Sequence, residues 1–194
     1  AIPNGVPIQQ YTFRPEVAED APLAFLGRVE HIKGTHLAIE IAKKTGRRLL
    51  IAGNVPEDDK SRQYFETMVK PHLNGQIEYV GPVNDVEKNE LLGKSHAFLM
   101  PILWNEPFGI VMAEALACGT PVIGMDRGSV PEVVQNGVNG FRCNSVEEMV
   151  AAVEKVNGLS RQQSRTVAEE RFSNTAIVTQ YERLYIQASA AVAV

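Results

Sequence analysis

From Leu23 onward, short apolar runs alternate with longer amphipathic stretches, and few folds accept that rhythm. Five runs stand out: Leu23–Gly27, Arg48–Gly53, Ile77–Gly81, Ala97–Met100 and Pro121–Gly124. They are largely apolar at consecutive positions, as strands covered on both faces are. Between them the period lengthens. Residues 35–45 place Leu37, Ala38, Ile41 and Ala42 on one helical face, with Lys43 and Lys44 near the end, where cations suit the dipole. A polar helix is predicted over about 58–73. Asn84 is placed to cap a third helix through about Lys94, with Asp85 and Glu87 in its first turn. Another opens after Pro107-Phe108-Gly109, and helical segments dominate from about Ser145, with a break near Asn157-Gly158. Strands alternating with helices in this way predict an α/β fold: a Rossmann-like doubly wound parallel sheet with helices on both faces.

The chain has 194 residues, 44% of them hydrophobic, enough for one large domain. Residues 1–20 are rich in turn formers, including Pro3, Gly5, Pro7 and Pro15, and read as a connecting segment. The folded domain is placed at 21–172, and a C-terminal helix with a small-residue tail, Ala188–Val194, at 173–194. No internal repeat is visible. The first residue is Ala rather than Met, which fits either processing or a cut from a longer protein.

Composition narrows the function classes. The net charge is −4, with 19 basic and 23 acidic side chains interspersed, so no basic stripe invites nucleic acid. Two cysteines, Cys118 and Cys143, are too few for a disulfide framework and point to a reduced, cytoplasmic domain. Cys118 reads as core packing. The four histidines have no HExxH or paired-cysteine context, so no metal site is expected. No apolar run reaches the roughly 20 residues that span a bilayer, and no signal peptide is visible. Peripheral membrane attachment would need a segment outside this sequence. No Ser-His-Asp or Cys-His spacing argues nucleophilic catalysis.

In open α/β sheets, ligands bind beyond the carboxyl ends of the strands. Four such ends carry suggestive residues: Gly27–Gly34, Gly53-Asn54, Gly81-Pro82-Val83 and Pro101–Gly109. In the first, a glycine at each end permits close approach, while Arg28 offers a planar fork and Lys33 a mobile charge to phosphate oxygens. The alternative is a surface turn with two solvated cations. The Gly-x4-Gly-Lys-Ser/Thr order of a P-loop is missing.

The last of these ends runs into Glu106-Pro-Phe-Gly-Ile-Val-Met-Ala-Glu114. A helix start exposes free N–H groups and the positive end of a dipole. Eight residues of helix would separate the two carboxylates by about 12 Å, a span suited to ribose, diphosphate and sugar in series. Glu106 could instead simply favour the dipole. Glu114, among Val111, Met112 and Ala115, needs a partner or solvent, so an exposed helix face is the alternative there. Phe108 reads as core or as a ligand platform, and Gly109 permits close approach. Trp104 and Asn105 shape the same loop without a specific signal. Gly128–Glu132 either lines the sugar end or caps a short helix.

Taken in order, these segments resemble the donor-binding, C-terminal half of retaining GT-B fold glycosyltransferases, the glycosyl transferases group 1 family. The resemblance rests on Phe25–Arg28 with Lys33-Gly34, on Glu106–Glu114, and on Gly119-Thr-Pro-Val-Ile123. It also takes in Gly128–Glu132, Asn136–Phe141 and the linker-like Ile2–Val6, and so covers nearly the whole chain. It implies one half of a GT-B fold, with 21–172 a nucleotide-sugar-binding domain. Arg28 and Lys33, beside Gly27, would hold the donor diphosphate, and with Glu106 would form the catalytic set. Glu106 would contact the transferred sugar, Glu114 the ribose hydroxyls, and the backbone of Phe108, Gly109, Ile110 and Val111 the sugar and phosphate oxygens. Gly81 and Val83 would seat the base.

The family implies hexosyl transfer from a nucleoside diphosphate sugar, with UDP favoured over GDP or ADP, retention of configuration, and neither a cofactor nor a metal. A complete enzyme has two comparable domains, so the acceptor-binding N-terminal half would be the missing partner. The chain alone is then expected to bind donor without transferring sugar. Two rival readings stand beside this: a non-catalytic nucleotide-binding module, and a sugar-nucleotide epimerase or phosphorylase sharing the GT-B architecture.

Overall fold

A computed structural model describes residues 2–192; Ala1 and the last two residues of the small-residue tail lie outside the described residues. Six strands form one parallel sheet: β1 Leu23–Leu26, β2 Leu49–Ala52, β3 Ile77–Gly81, β4 Ala97–Met100, β5 Val122–Met125 and β6 Gly140–Cys143. Their spatial order is β3-β2-β1-β4-β5-β6, the doubly wound Rossmann order. Helices alternate with them: α1 Thr35–Thr45, α2 Asp59–Tyr64, α3 Asp85–Gly93, α4 Ile110–Ala117, α5 Val130–Val133, α6 Val146–Lys155, α7 Arg161–Phe172 and α8 Asn174–Val192. The central β4 and β5 are buried at every position, which is why they read as continuous apolar runs.

Sequence and structure differ in two elements. The sixth strand, Gly140-Phe-Arg-Cys143, is absent from the five expected strands because exposed Arg142 interrupts its short apolar run. The polar helix expected over 58–73 changes character partway. Asp58 caps α2 by accepting the Ser61 N–H at 2.9 Å, but a π-turn follows over Phe65–Val69 and a 3-10 turn over Lys70–His72. Pro71 in that last turn has no N–H to continue the α-helical ladder. In α3 the expected cap is a full capping box: Asn84 accepts from Val86 and Glu87, and Glu87 accepts the Asn84 N–H.

The turn-rich N-terminal segment packs onto the domain from residue 6. The Val6 N–H donates to the Phe172 carbonyl at 2.7 Å, and Val6, Ile8 and Tyr11 are buried in the core. Arg161 of α7 clasps the same segment from the other side through the Arg14 carbonyl at 2.7 Å. Among the described residues, no helix is long and apolar enough to cross a membrane.

His96, just before β4, is buried and its Nε2 lies 3.1 Å from the Val153 carbonyl. Burial holds its pKa below the ordinary histidine value, chiefly by penalising the charged ring. A depressed folded-state pKa gives stability that is whole above about pH 6.5 and is lost as pH falls below it. Thermal scans between pH 7.5 and 5 should therefore show a falling midpoint, with a shallower fall in His96→Gln. Equal slopes in the two proteins would contradict the assignment.

Candidate functional site

The connections from β1 and β4 leave in opposite directions, so a crevice opens between them at the carboxyl edge of the sheet. Two loops meet there. The loop after β1 makes a 3-10 turn at His31–Lys33 and ends on Gly34, whose φ of 75° is left-handed. A Cβ at Gly34 would fall 1.9 Å from the Pro101 carbonyl oxygen, so only glycine lets this loop lie against the one after β4. The Leu103 N–H closes the seam by donating to the Ile32 carbonyl at 2.8 Å.

This seam brings Lys33 and Glu106 together. The Lys33 ammonium donates to Glu106 Oε2 at 2.5 Å, with both side chains mostly buried. The Trp104 indole N–H donates to the same oxygen at 3.0 Å, and Lys33 sits 4.8 Å from the centre of the Trp104 ring. Among the described residues, no hydrogen bond engages Oε1 of Glu106. The turn at Gly128-Ser129 braces the loop from behind. The Ser129 N–H donates to the Glu106 carbonyl at 2.9 Å, and its hydroxyl to the Phe108 carbonyl at 2.7 Å. Among the described residues, no side chain of that turn caps α5.

Helix α4 begins at Ile110, directly after the Pro107-Phe108-Gly109 turn as expected, so Glu106 stands in the loop and only Glu114 in the helix. The axial separation of about 12 Å assumed helical rise over all eight residues and does not apply to this geometry. Gly109 is the N-cap, at φ 66°, and no side chain caps the helix. Among the described residues, the N–H groups of Gly109, Ile110 and Val111 donate to no protein acceptor. They remain free for an anion. The Phe108 ring is core: it is buried and packs edge-on against Phe172 at 6.0 Å. Its part in a site is therefore limited to the backbone.

Glu114 is held much as Glu106 is. Its Oε1 accepts from the Tyr11 hydroxyl at 2.6 Å and from Lys88 at 2.9 Å, and Lys88 lies over the Tyr11 ring. Glu114 is 6% exposed as a residue, so the open-face alternative does not hold, and its Oε2 carries no protein hydrogen bond among the described residues. Burial and the neighbouring Glu114 push the Tyr11 hydroxyl above its ordinary pKa. Burial alone would lower Lys88, but its bonds to Glu114, Asp85 and Tyr11 outweigh that and leave it raised. The ammonium stays charged and neutralises the buried carboxylate.

Arg28 is not joined to this cluster. Its guanidinium pairs with Glu30 at 3.0 Å and is 56% exposed, free to swing toward a ligand. Gly27 donates its N–H to Ala52 at the top of β1, and Gly53 approaches so closely that a Cβ on it would meet the Gly27 carbonyl oxygen. Gly81, at φ 78° with open space around its missing Cβ, and half-buried Val83 form the rim after β3. The cleft beside the Lys33 loop, about 340 Å³, is lined by Glu30, His31, Asp58, Ser61, Tyr64 and Met68, not by Arg28 or Glu106. Cys118 and Cys143 are buried, and burial pushes the Cys118 thiol up to about 12, which suits packing rather than attack.

Tyr11 and Lys88 escape sequence reasoning, and Trp104, expected to shape this loop, gave no sign of its bond to Glu106. Tyr11 lies in the segment read as a connector, and Lys88 is one polar residue among several in α3. Trp104 offers one clue: it is the single tryptophan, two residues before Glu106.

The rim thus offers cations, free N–H groups and two carboxylates each with an unengaged oxygen. Residues 11–177 match the family described as "Glycosyl transferases group 1". The chain is 31% identical over 154 residues to N-acetyl-alpha-D-glucosaminyl L-malate synthase of Bacillus anthracis, covering 75% of this chain and 39% of that protein. The chain therefore spans about two fifths of that relative's length. Among solved structures, AviGT4, a glycosyltransferase involved in avilamycin A biosynthesis, superposes with a TM-score of 0.79 at 27% identity, covering 98% of this chain and 58% of its own. Anabaena HepE in complex with UDP and glucose superposes with a TM-score of 0.79 at 21% identity, covering 97% and 56%, a likeness of fold.

Proposed function

The chain belongs to the glycosyl transferases group 1 family, and from that premise we propose that it is the donor-binding half of a retaining glycosyltransferase. The observation that carries this reading is the Lys33–Glu106–Trp104 cluster in the loop that leads directly into the free N–H groups of Gly109–Val111. Arg28 and Lys33 would take the diphosphate, Glu106 Oε1 a sugar hydroxyl, Glu114 Oε2 a ribose hydroxyl, and the rim at Gly81 and Val83 the base. UDP is the first base to test, because HepE, whose fold this chain shares, was crystallised with it.

Cleaving the anomeric C–O bond leaves charge on the departing diphosphate and an oxocarbenium-like sugar. Two cations and a row of N–H groups stabilise the first where it develops. In this mechanism they take the place of a divalent ion, and the acceptor attacks from the face the diphosphate leaves, without a protein nucleophile. Glu106 is engaged by Lys33 and Trp104, which fits a positioning role better than covalent attack.

The acceptor half would lie in the remainder of a longer protein. Val178, Tyr181, Leu184, Tyr185 and Ile186 of α8 are all exposed, an apolar stripe that such a half would cover. A cytoplasmic location, with any membrane attachment through the missing half, belongs to the same proposal. Calorimetric titration with UDP, GDP and ADP tests the site. Glu114→Gln keeps an acceptor for Tyr11 and Lys88 but turns an amide donor toward the ribose. It should weaken the preferred nucleotide about ten- to a hundredfold. Unchanged affinity would remove Glu114 from the ribose role, and efficient transfer to an added acceptor by this chain alone would overturn the division of labour.

A further inference from the structure

Lys33 serves two anions. Its ammonium donates to Glu106 Oε2, whereas the function proposed above needs it on the diphosphate. As it turns to the phosphates, Glu106 loses its ion pair inside a mostly buried site and faces an approaching negative charge. A carboxylate left so would move or drag the lysine back. The backbone contact from Ser129 fixes the main chain, not the carboxylate. Among the described residues, the one other side-chain donor on it is the Trp104 indole N–H, neutral and already on the same oxygen at 3.0 Å. The Trp104 ring meanwhile lies 4.8 Å from the ammonium and can support it in either position through a cation–π contact.

We propose that Trp104 is a positioning residue: its N–H keeps Glu106 seated while Lys33 is drawn from that carboxylate to the donor diphosphate. This rests on the donor-site reading, and a double-mutant cycle separates the two. The probe is whichever of UDP, GDP and ADP binds this chain most tightly by calorimetry. Trp104→Phe keeps a ring under Lys33 and removes the N–H. It should weaken the nucleotide about tenfold, because Lys33 must then stay with Glu106. In the Glu106→Gln background no charge is left to hold, and adding Trp104→Phe should change affinity by no more than about twofold.

Equal losses in the two backgrounds would show that Trp104 only packs, and no loss in either would overturn the proposal outright. A readout without substitution stands beside the cycle. Trp104 is the only tryptophan, so nucleotide binding should shift the intrinsic tryptophan emission. Calorimetric binding with unchanged emission would also overturn it. Failure of all three nucleotides to bind would instead remove the donor-site reading, and this inference with it.

Discussion

Arg161→Met is expected to cost about 2–4 kcal/mol of folding stability, a drop of about 5–15 °C in thermal midpoint for a chain of this size. Arg161 is 9% exposed as a residue, and its guanidinium has no carboxylate partner among the described residues. It donates to the carbonyls of Arg14, Ser95 and Gly93 at 2.7, 3.0 and 2.8 Å, and to the Thr120 hydroxyl at 2.8 Å. Burial pulls its pKa down to about 10, which measures the cost of charge in that place. Methionine fills the volume and recovers that desolvation cost, but it strands four acceptors from three stretches of chain, at Arg14, Gly93–Ser95 and Thr120. Losing the four bonds outweighs the recovery because each buried carbonyl or hydroxyl left without a donor costs about 1–3 kcal/mol. Arg161→Lys should remain well below wild type, since one ammonium cannot reach acceptors spread around a planar fork. Denaturation midpoints equal to wild type in both variants would refute this role.

Gly34→Val should unfold or severely weaken the chain and abolish nucleotide binding. Two penalties coincide there. The left-handed φ of 75° disfavours any side chain, and a Cβ would stand 1.9 Å from the Pro101 carbonyl oxygen. The strained backbone costs about 1–3 kcal/mol by itself. The clash then forces apart the loops that carry Lys33 and Glu106. Gly46 makes the control, because its φ is 68° and nothing lies within 4 Å of its missing Cβ. Gly46→Val should cost only the backbone strain and leave nucleotide affinity intact. Urea denaturation paired with titration separates the two, and matching behaviour at both positions would show that the contact with Pro101 is unimportant.

Legibility in the sequence followed apolar content: even the half-exposed edge strand β3 was readable through Ile77, Tyr79 and Val80. Strands β1, β2, β4 and β5 are enclosed by helices and announce themselves as apolar runs, whereas β6, half-exposed at the edge, carries Arg142 and passes for a loop. The α3 cap was readable because it is local, set by Asn84 and Glu87 alone. The partners of Glu114 were not, because they come from Tyr11 and Lys88, 103 and 26 residues away. The motif residues Lys33 and Glu106 could be named in advance, yet not their mutual pairing, which depends on how Gly34 lets two loops close. Arg161 fell outside every pattern, since a helix-start arginine ordinarily reads as solvated. Spacing exposes what a segment does with its neighbours in sequence. It is silent on what the crossover topology folds against it.

The central claim is that the carboxyl rim between β1 and β4 receives a nucleoside diphosphate. A crystal structure of this chain with the tightest-binding of UDP, GDP and ADP tests it most directly. The diphosphate should lie against Lys33, Arg28 and the N–H groups of Gly109–Val111, with the ribose on Glu114 and Lys33 drawn away from Glu106. A nucleotide lodged in the cleft of His31, Asp58 and Tyr64, with the Lys33–Glu106 pair undisturbed, would contradict it.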